Sequence, residues 1–295
     1  ALTAVSFLGS GANLTDVGFD PDAQQNLYAG TGAGAASDSD TCFNIALGCN
    51  AGNALNSGDY NVLLGCAAGR SITEGACNII LGPGAGKCNT TGCSNNFFGT
   101  NAGLANTTGS CNNMIGVGAG RCSSVSGVGN VFIGTYAGKC ASSSGNSNNF
   151  IGGSAGFQNT TGSLNNFIGG NAGVCNTTGG CNIFLGNLSG NTNTSGCCNI
   201  AIGRDVELPS ATGNGQMAIG DGTSRWLRGD NSYNVCLGNG TAIKAMADGK
   251  MCATEFVGGG AGLTGINAGF DPDAQGNLYA GTGAGAASDG DTLNN

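Results

Sequence analysis

Histidine is absent from the 295 residues, which removes the usual general base at neutral pH and the commonest metal ligand. Charge is scarce as well. Only 9% of the residues are Asp, Glu, Lys or Arg, and nine Lys and Arg set singly along the chain face 17 Asp and Glu, for a net charge of −8. That scatter predicts no basic stripe able to neutralise phosphates, so nucleic acid is not an expected partner. Four prolines and no three-residue period leave no collagen-like reading. No apolar run is long enough to span a bilayer, so membrane insertion is not expected. With no initiator Met or signal peptide, the sequence reads as a mature piece or an excerpt of something larger.

What the chain has in quantity is glycine, 59 residues of it, and 15 cysteines. A Gly closing a short apolar segment recurs at Gly30, Gly48, Gly65, Gly82, Gly99, Gly116, Gly134, Gly152, Gly169, Gly186, Gly203, Gly220 and Gly238, the step between neighbours being seventeen or eighteen each time. A fixed period of that length marks a solenoid, in which each coil contacts only its neighbours and the product is a filament whose chemistry is recognition. The expected fold is all-β: a β-solenoid (β-roll or β-helix) of 17–18-residue coils. Catalysis is not expected.

A longer repeat lies over the short one. Phe19 to Asp38 returns nearly unchanged as Phe270 to Asp289, and Phe7 to Thr15 returns as Phe256 to Thr264. The chain therefore reads as an inter-module joint at 1–18, solenoid repeats at 19–203, an irregular cap and junction at 204–255, and at 256–295 a second joint with the start of the next module. Modules joined head to tail make a fibre.

Numbering each coil from its rung Gly as zero, position −4 is Asn in twelve of thirteen rungs, among them Asn95, Asn112, Asn130, Asn148, Asn165 and Asn182, with Gln216 the exception. Amides stacked one strand spacing apart hydrogen-bond along the stack, which predicts an Asn ladder. Position −1 is apolar in every rung and reads as the inside of the coil. Position −2, on the opposite face of the strand, carries Phe97, Met114, Phe132, Phe150, Phe167 and Phe184. An outward Phe stripe of that length exceeds what a soluble monomer exposes, so neighbouring chains are expected to cover it, as a parallel homotrimer or as laterally packed dimers. Ala-Gly connectors such as Ala172-Gly173, and Asn-Thr-Thr-Gly corners such as Asn159 to Gly162, complete the coil.

The cysteines fall in columns. Around single corners, Cys88 with Cys93 and Cys175 with Cys181 are possible disulfides; buried free thiols and a metal site compete with that reading. Asp271 and Asp273, with their first copies Asp20 and Asp22, have the alternate oxygens of a calcium loop, although no bidentate Glu follows and a solvated turn explains them equally. Calcium is the one cofactor the residues suggest. Arg228-Gly229-Asp230 spells an integrin tripeptide, and sequons stand at Asn13, Asn89, Asn106, Asn159, Asn176, Asn187, Asn193 and Asn239.

The recurring pattern Asn-x-(Phe/Ile)-(Ile/Leu)-Gly-x-x-Ala-Gly-x-x-Asn-Thr-Thr-Gly, with Cys distributed through it, resembles the Cys-rich repeat proteins of phages of marine cyanobacteria, regarded as tail-fibre or other virion-fibre components. The joint at Phe256 to Gly265 is similar to phage-fibre segments, and the rung core resembles the β-roll heads of trimeric autotransporter adhesins, whose coils are shorter. The resemblance implies an extracellular fibre on a virion that attaches to a host surface, to a glycan or a protein, while the self-associating homotrimer is the expectation from the Phe stripe. A cell-surface filament or adhesin is the alternative, and an enzyme carried on a β-helix would need a carboxylate cluster that the rungs do not supply.

Overall fold

In the computed structural model the described residues are 21–121, 126–140, 145–232 and 234–238, with the backbone of two further strands at 243–245 and 251–253. Two compact units divide the chain, Ala1–Thr254 and Glu255–Asn295, and every described residue belongs to the first. The joints at 1–18 and 256–295, with Asp271 and Asp273, lie outside the described residues.

Eleven strands of three residues each, one per coil, run from the N-terminal side: β1 Leu27–Ala29, β2 Ile45–Leu47, β3 Val62–Leu64, β4 Ile79–Leu81, β5 Asn96–Phe98, β6 Asn113–Ile115, β7 Val131–Ile133, β8 Asn149–Ile151, β9 Asn166–Ile168, β10 Ile183–Leu185 and β11 Ile200–Ile202. Longer or differently paired strands follow: β12 Met217–Asp221, β13 Ser224–Gly229, β14 Val235–Leu237, β15 Ile243–Ala245 and β16 Met251–Ala253. All belong to one sheet in chain order. From β1 to β12 every pairing is parallel and in register, Phe150 opposite Phe167 and Phe167 opposite Phe184. This is an all-β β-solenoid, and equivalent groups in adjacent coils stand about 17 residues apart. Parallel pairing runs to β12, one strand past residue 203, and then gives way to antiparallel pairing from β12 to β16.

The two faces of each strand are the reverse of the sequence expectation. Position −2 points inward: Phe97, Met114, Phe150, Phe167 and Phe184 have no exposed surface, and Phe132 only 2%. Position −1 points out, with Ile115, Ile133 and Ile151 each 37% exposed and Ile168 42%. The cause is the Asn at −4, whose amide must reach corner carbonyls inside the coil; a period of two then carries −2 inward with it and turns −3 and −1 outward. The Phe stack is therefore sealed by its own chain. Rings of Phe132, Phe150, Phe167 and Phe184 stack at 4.9, 5.0 and 4.8 Å between centroids, and no partner chain is needed to cover them.

Core side chains vary from coil to coil in more than one column. Early coils place smaller side chains at −2, Ala46, Leu63 and Ile80, and fill the corner with Leu55 and Ile72. The coils of Phe97, Phe150, Phe167 and Phe184 have Asn at that corner, at Asn106, Asn159, Asn176 and Asn193. At the far end Ala201 and Ala218 replace Phe, and Ser189 and then Val206 take the place of the connector Ala. The rung Gly is dictated by geometry: Gly169 has φ +137°, and a Cβ there would stand 2.4 Å from the Gly186 carbonyl oxygen. Gly173 leaves room for the ring, since a Cβ would lie 2.5 Å from Phe167.

Candidate functional site

The most elaborate polar structure is the interior ladder of rung Asn side chains. Asn165 repeats its unit: its backbone N–H and its Nδ2 both donate to Asn148 Oδ1, at 3.0 and 3.2 Å, and Nδ2 also donates to the Gly179 carbonyl at 2.8 Å. Asn61, Asn78, Asn95, Asn130 and Asn148 make the same three bonds to their own neighbours. Asn112 and Asn182 keep the backbone bond to the preceding amide and the bond to a corner carbonyl. Each buried amide thus ties two coils together and bonds a corner carbonyl, which in the Asn-Thr-Thr-Gly coils also accepts the corner Asn Nδ2.

Both ends of the ladder are closed. At the start Asp22 stands in for a preceding Asn: Oδ1 accepts the Asn26 backbone N–H at 2.8 Å and Oδ2 accepts Asn26 Nδ2 at 3.1 Å. Asp22 also accepts the Gln24 N–H, so the carboxylate suggested as a calcium ligand is spent on its own turn. At the other end Gln216 donates its backbone N–H to Asn199 Oδ1, but its longer side chain folds back to Ser210 and Gly213. The single exception in the column is its terminator.

A second ladder went unread in the sequence. Corner residues Asn89, Asn106, Asn159, Asn176 and Asn193 are buried, and Nδ2 of Asn106, Asn176 and Asn193 donates to the preceding Oδ1 at 2.8, 2.8 and 2.7 Å. Their 17-residue spacing was the available signal; the turn chemistry of Asn-Thr-Thr-Gly concealed it. Burial also removes these five sequons as glycan acceptors in the folded chain.

The surface columns do different work. Position −6 is an external column in which polar side chains accept the backbone N–H of position −6 in the preceding coil. Asp59, Cys93, Ser110, Asn146, Ser163, Cys197 and Asn214 all serve in turn. Cysteine stands there as one more acceptor. Position −5 is left-handed backbone, occupied by exposed Cys77, Cys111, Cys181 and Cys198 with φ near +59°. Cysteines at −6 and +6 are half-buried, so the thiols line the surface and not the core, where the buried-thiol reading placed them.

No disulfide forms among the described cysteines, and Cys88, Cys93, Cys175 and Cys181 are free thiols. Cys93 Sγ is committed to the Ala76 N–H and the Thr91 carbonyl, and Cys181 faces Cys198 along its column. Burial, then the neighbouring Cys181 and Cys197 thiols, push Cys198 above the usual thiol range.

The basic residues are not scattered once the coil is folded. Arg70, Lys87, Arg121 and Lys139 share position +5, with Leu104 between the two pairs, and among the described residues none of the four is in an ion pair. Lys139 lies over the rings of Tyr136 and Phe157. Counting charge along the chain, and not modulo the coil, hid this column.

Nothing in the described residues has the form of a catalytic centre. Among the described residues no group of three Cys, Asp or Glu is placed to hold a metal ion. Among the described residues, two depressions near the C-terminal strands are lined by Cys198, Asn214, Gly215 and Asn231, and by Pro209, Arg228, Gly229, Asp230, Asn234 and Cys236. Arg228 and Gly229 are strand residues of β13, and Asp230 caps its own turn by accepting the Ser232 and Asn234 N–H groups. The tripeptide is therefore not displayed on a loop. No described helix is long and apolar enough to cross a membrane.

Columns of identical side chains without a reactive cluster define a β-solenoid consistent with fibrous repeat proteins. No family model matches the chain, and no curated protein or solved structure matches it.

Proposed function

We propose that the chain is a structural fibre protein, a shaft segment of a phage tail or virion fibre that carries attachment to a host surface. The observation that supports this most is the uninterrupted register of β1 to β12, which builds length by repetition while leaving the described residues without a reactive cluster. The Asn-Thr-Thr-Gly repeat pattern and its resemblance to cyanophage fibre proteins supply the virion setting. In this reading the solenoid at 19–203 is the shaft, 204–255 a cap and junction, and 256–295 the start of the next module. Chains associate, as a homotrimer in the simplest arrangement, and bind a surface glycan or protein of the host.

Mass spectrometry of purified particles, with antibody labelling along their fibres, tests the reading. The expected result is the chain in the particle and label on the fibre. Its absence from particles and presence on cell surfaces would establish the other reading, a cellular filament or adhesin of head-to-tail modules.

A further inference from the structure

With the Phe column sealed inside, the outward face of the strands becomes the surface in need of a partner. It consists of positions −5, −3 and −1 of β1 to β11. Along −1 run Leu47, Leu64, Leu81, Phe98, Ile133 and Ile168, half-exposed in each coil. Along −5, Phe43 and Tyr60 are 49% and 58% exposed and stack at 5.0 Å, and Leu164 is 58% exposed. None of these eleven strands has an Asp, Glu, Lys or Arg between positions −5 and −1. In a chain of net charge −8 the whole face is free of charge.

We infer that this face docks a second copy of the same chain, a partner assignment that rests on the reading of the protein as part of an assembly. Three observations select that occupant. The first is period. Ridges of Leu and Ile recur at the strand spacing, ~4.8 Å, over ten intervals, and only a partner with the same repeat stays in step with them for ~48 Å. Another coil stack has that repeat by construction. The second is polar satisfaction. Asn96 donates to Asn113 and Asn149 to Asn166, each at 2.7 Å, so the outward amides at −3 already bond along their own column and lose little when covered. The third is area. Five residues at ~3.3 Å make the face ~13 Å wide, hence about 600 Å² in projection. Side-chain relief raises that toward the ~800 Å² per partner of a stable interface. Two such faces meet with their ridges interdigitated and no charge to desolvate.

The test uses the full chain. Its mass in solution is measured by light scattering across a concentration series, for the parent, for a face variant (Ile133→Lys, Ile151→Lys, Ile168→Lys) and for a control on the +5 column (Arg70→Ser, Lys87→Ser). Circular dichroism checks the fold of each. The parent and the control are expected at a multiple of 28.6 kDa and the face variant at 28.6 kDa. A second readout needs no variant: alkylation of Cys77, Cys111, Cys181 and Cys198 should slow as the chains associate, while Cys88 and Cys175, at +6 and outside the −5 to −1 face, keep their rates. Association that persists in the face variant with the −5 thiols still reactive would overturn this face while leaving an assembly in place. A parent chain that stays at the single-chain mass at every concentration would overturn the face and lateral self-association together.

Discussion

The stack from β1 to β11 and the end from β12 to β16 are built from the same sheet by different rules. In the stack every residue has an equivalent position above and below, so the recurring ones are selected for how they repeat: Asn because an amide both donates and accepts, Phe because rings stack, Gly because a neighbouring Gly carbonyl sits where its Cβ would be. In the end region the ladder stops at Gln216, the pairing turns antiparallel, and side chains are held singly, as in the exposed Arg204–Asp221 ion pair. Repetition turns an ordinary local preference into a strict requirement.

Substituting glycine should break that contrast most severely. Gly169→Val places a β-branched side chain at positive φ against the next coil's carbonyl and should cost roughly 4 kcal/mol, near the top of what one substitution does. Gly222→Ala, also at positive φ (+56°) but with nothing within 4 Å, should cost about 1 kcal/mol. Denaturant midpoints of the two variants measure the difference. Equal losses would mean that the close approach of rung glycines is not what selects them.

The aromatic column comes next. Phe150→Ala opens a cavity between Phe132 and Phe167 and should lower stability by about 3–5 kcal/mol, whereas Trp226→Ala, at 68% exposure, should stay within about 0.5 kcal/mol. Thermal melts decide it. An interior amide should follow: Asn148→Ala orphans the buried Asn165 N–H and removes one bond each from Asn165 Nδ2 and the Gly162 carbonyl, and should cost about 3 kcal/mol, against about 1 kcal/mol for Gln216→Ala. Urea titrations of both variants would show whether the ladder outweighs its terminator.

The smallest effect sharpens the role of sulfur. Because Cys93 and Cys197 serve as hydrogen-bond acceptors and Cys88, Cys175 and Cys181 are unbridged, a thiol reductant should leave the melting temperature unchanged. A drop of several degrees in calorimetry would mean that the columns are cross-linked.

The coil, its period and the identity of its rung residues were legible in the sequence because each is repeated. Sidedness was not, because positions −1 and −2 are both apolar along the stack, so hydrophobicity alone does not say which of them faces inward. The clue was one step away: Asn at −4 and Phe at −2 must share a face, and an invariant amide has its partners inside. The corner ladder of Asn159 and Asn176 and the basic column of Arg70 and Lys87 were missed for a shared reason. Both emerge only when residues are compared coil against coil, since in linear order one reads as a turn and the other as scattered charge.

Every column rests on one geometric rule, that each coil advances the chain by a single strand spacing. Spin labels on Cys77 paired with Cys111, and on Cys77 paired with Cys181, with the other cysteines replaced by serine, measure that advance over two coils and over six. Separations of about 10 Å and about 29 Å are predicted, growing ~4.8 Å per coil. A distance that fails to grow with the number of intervening coils would contradict the stack and every column derived from it.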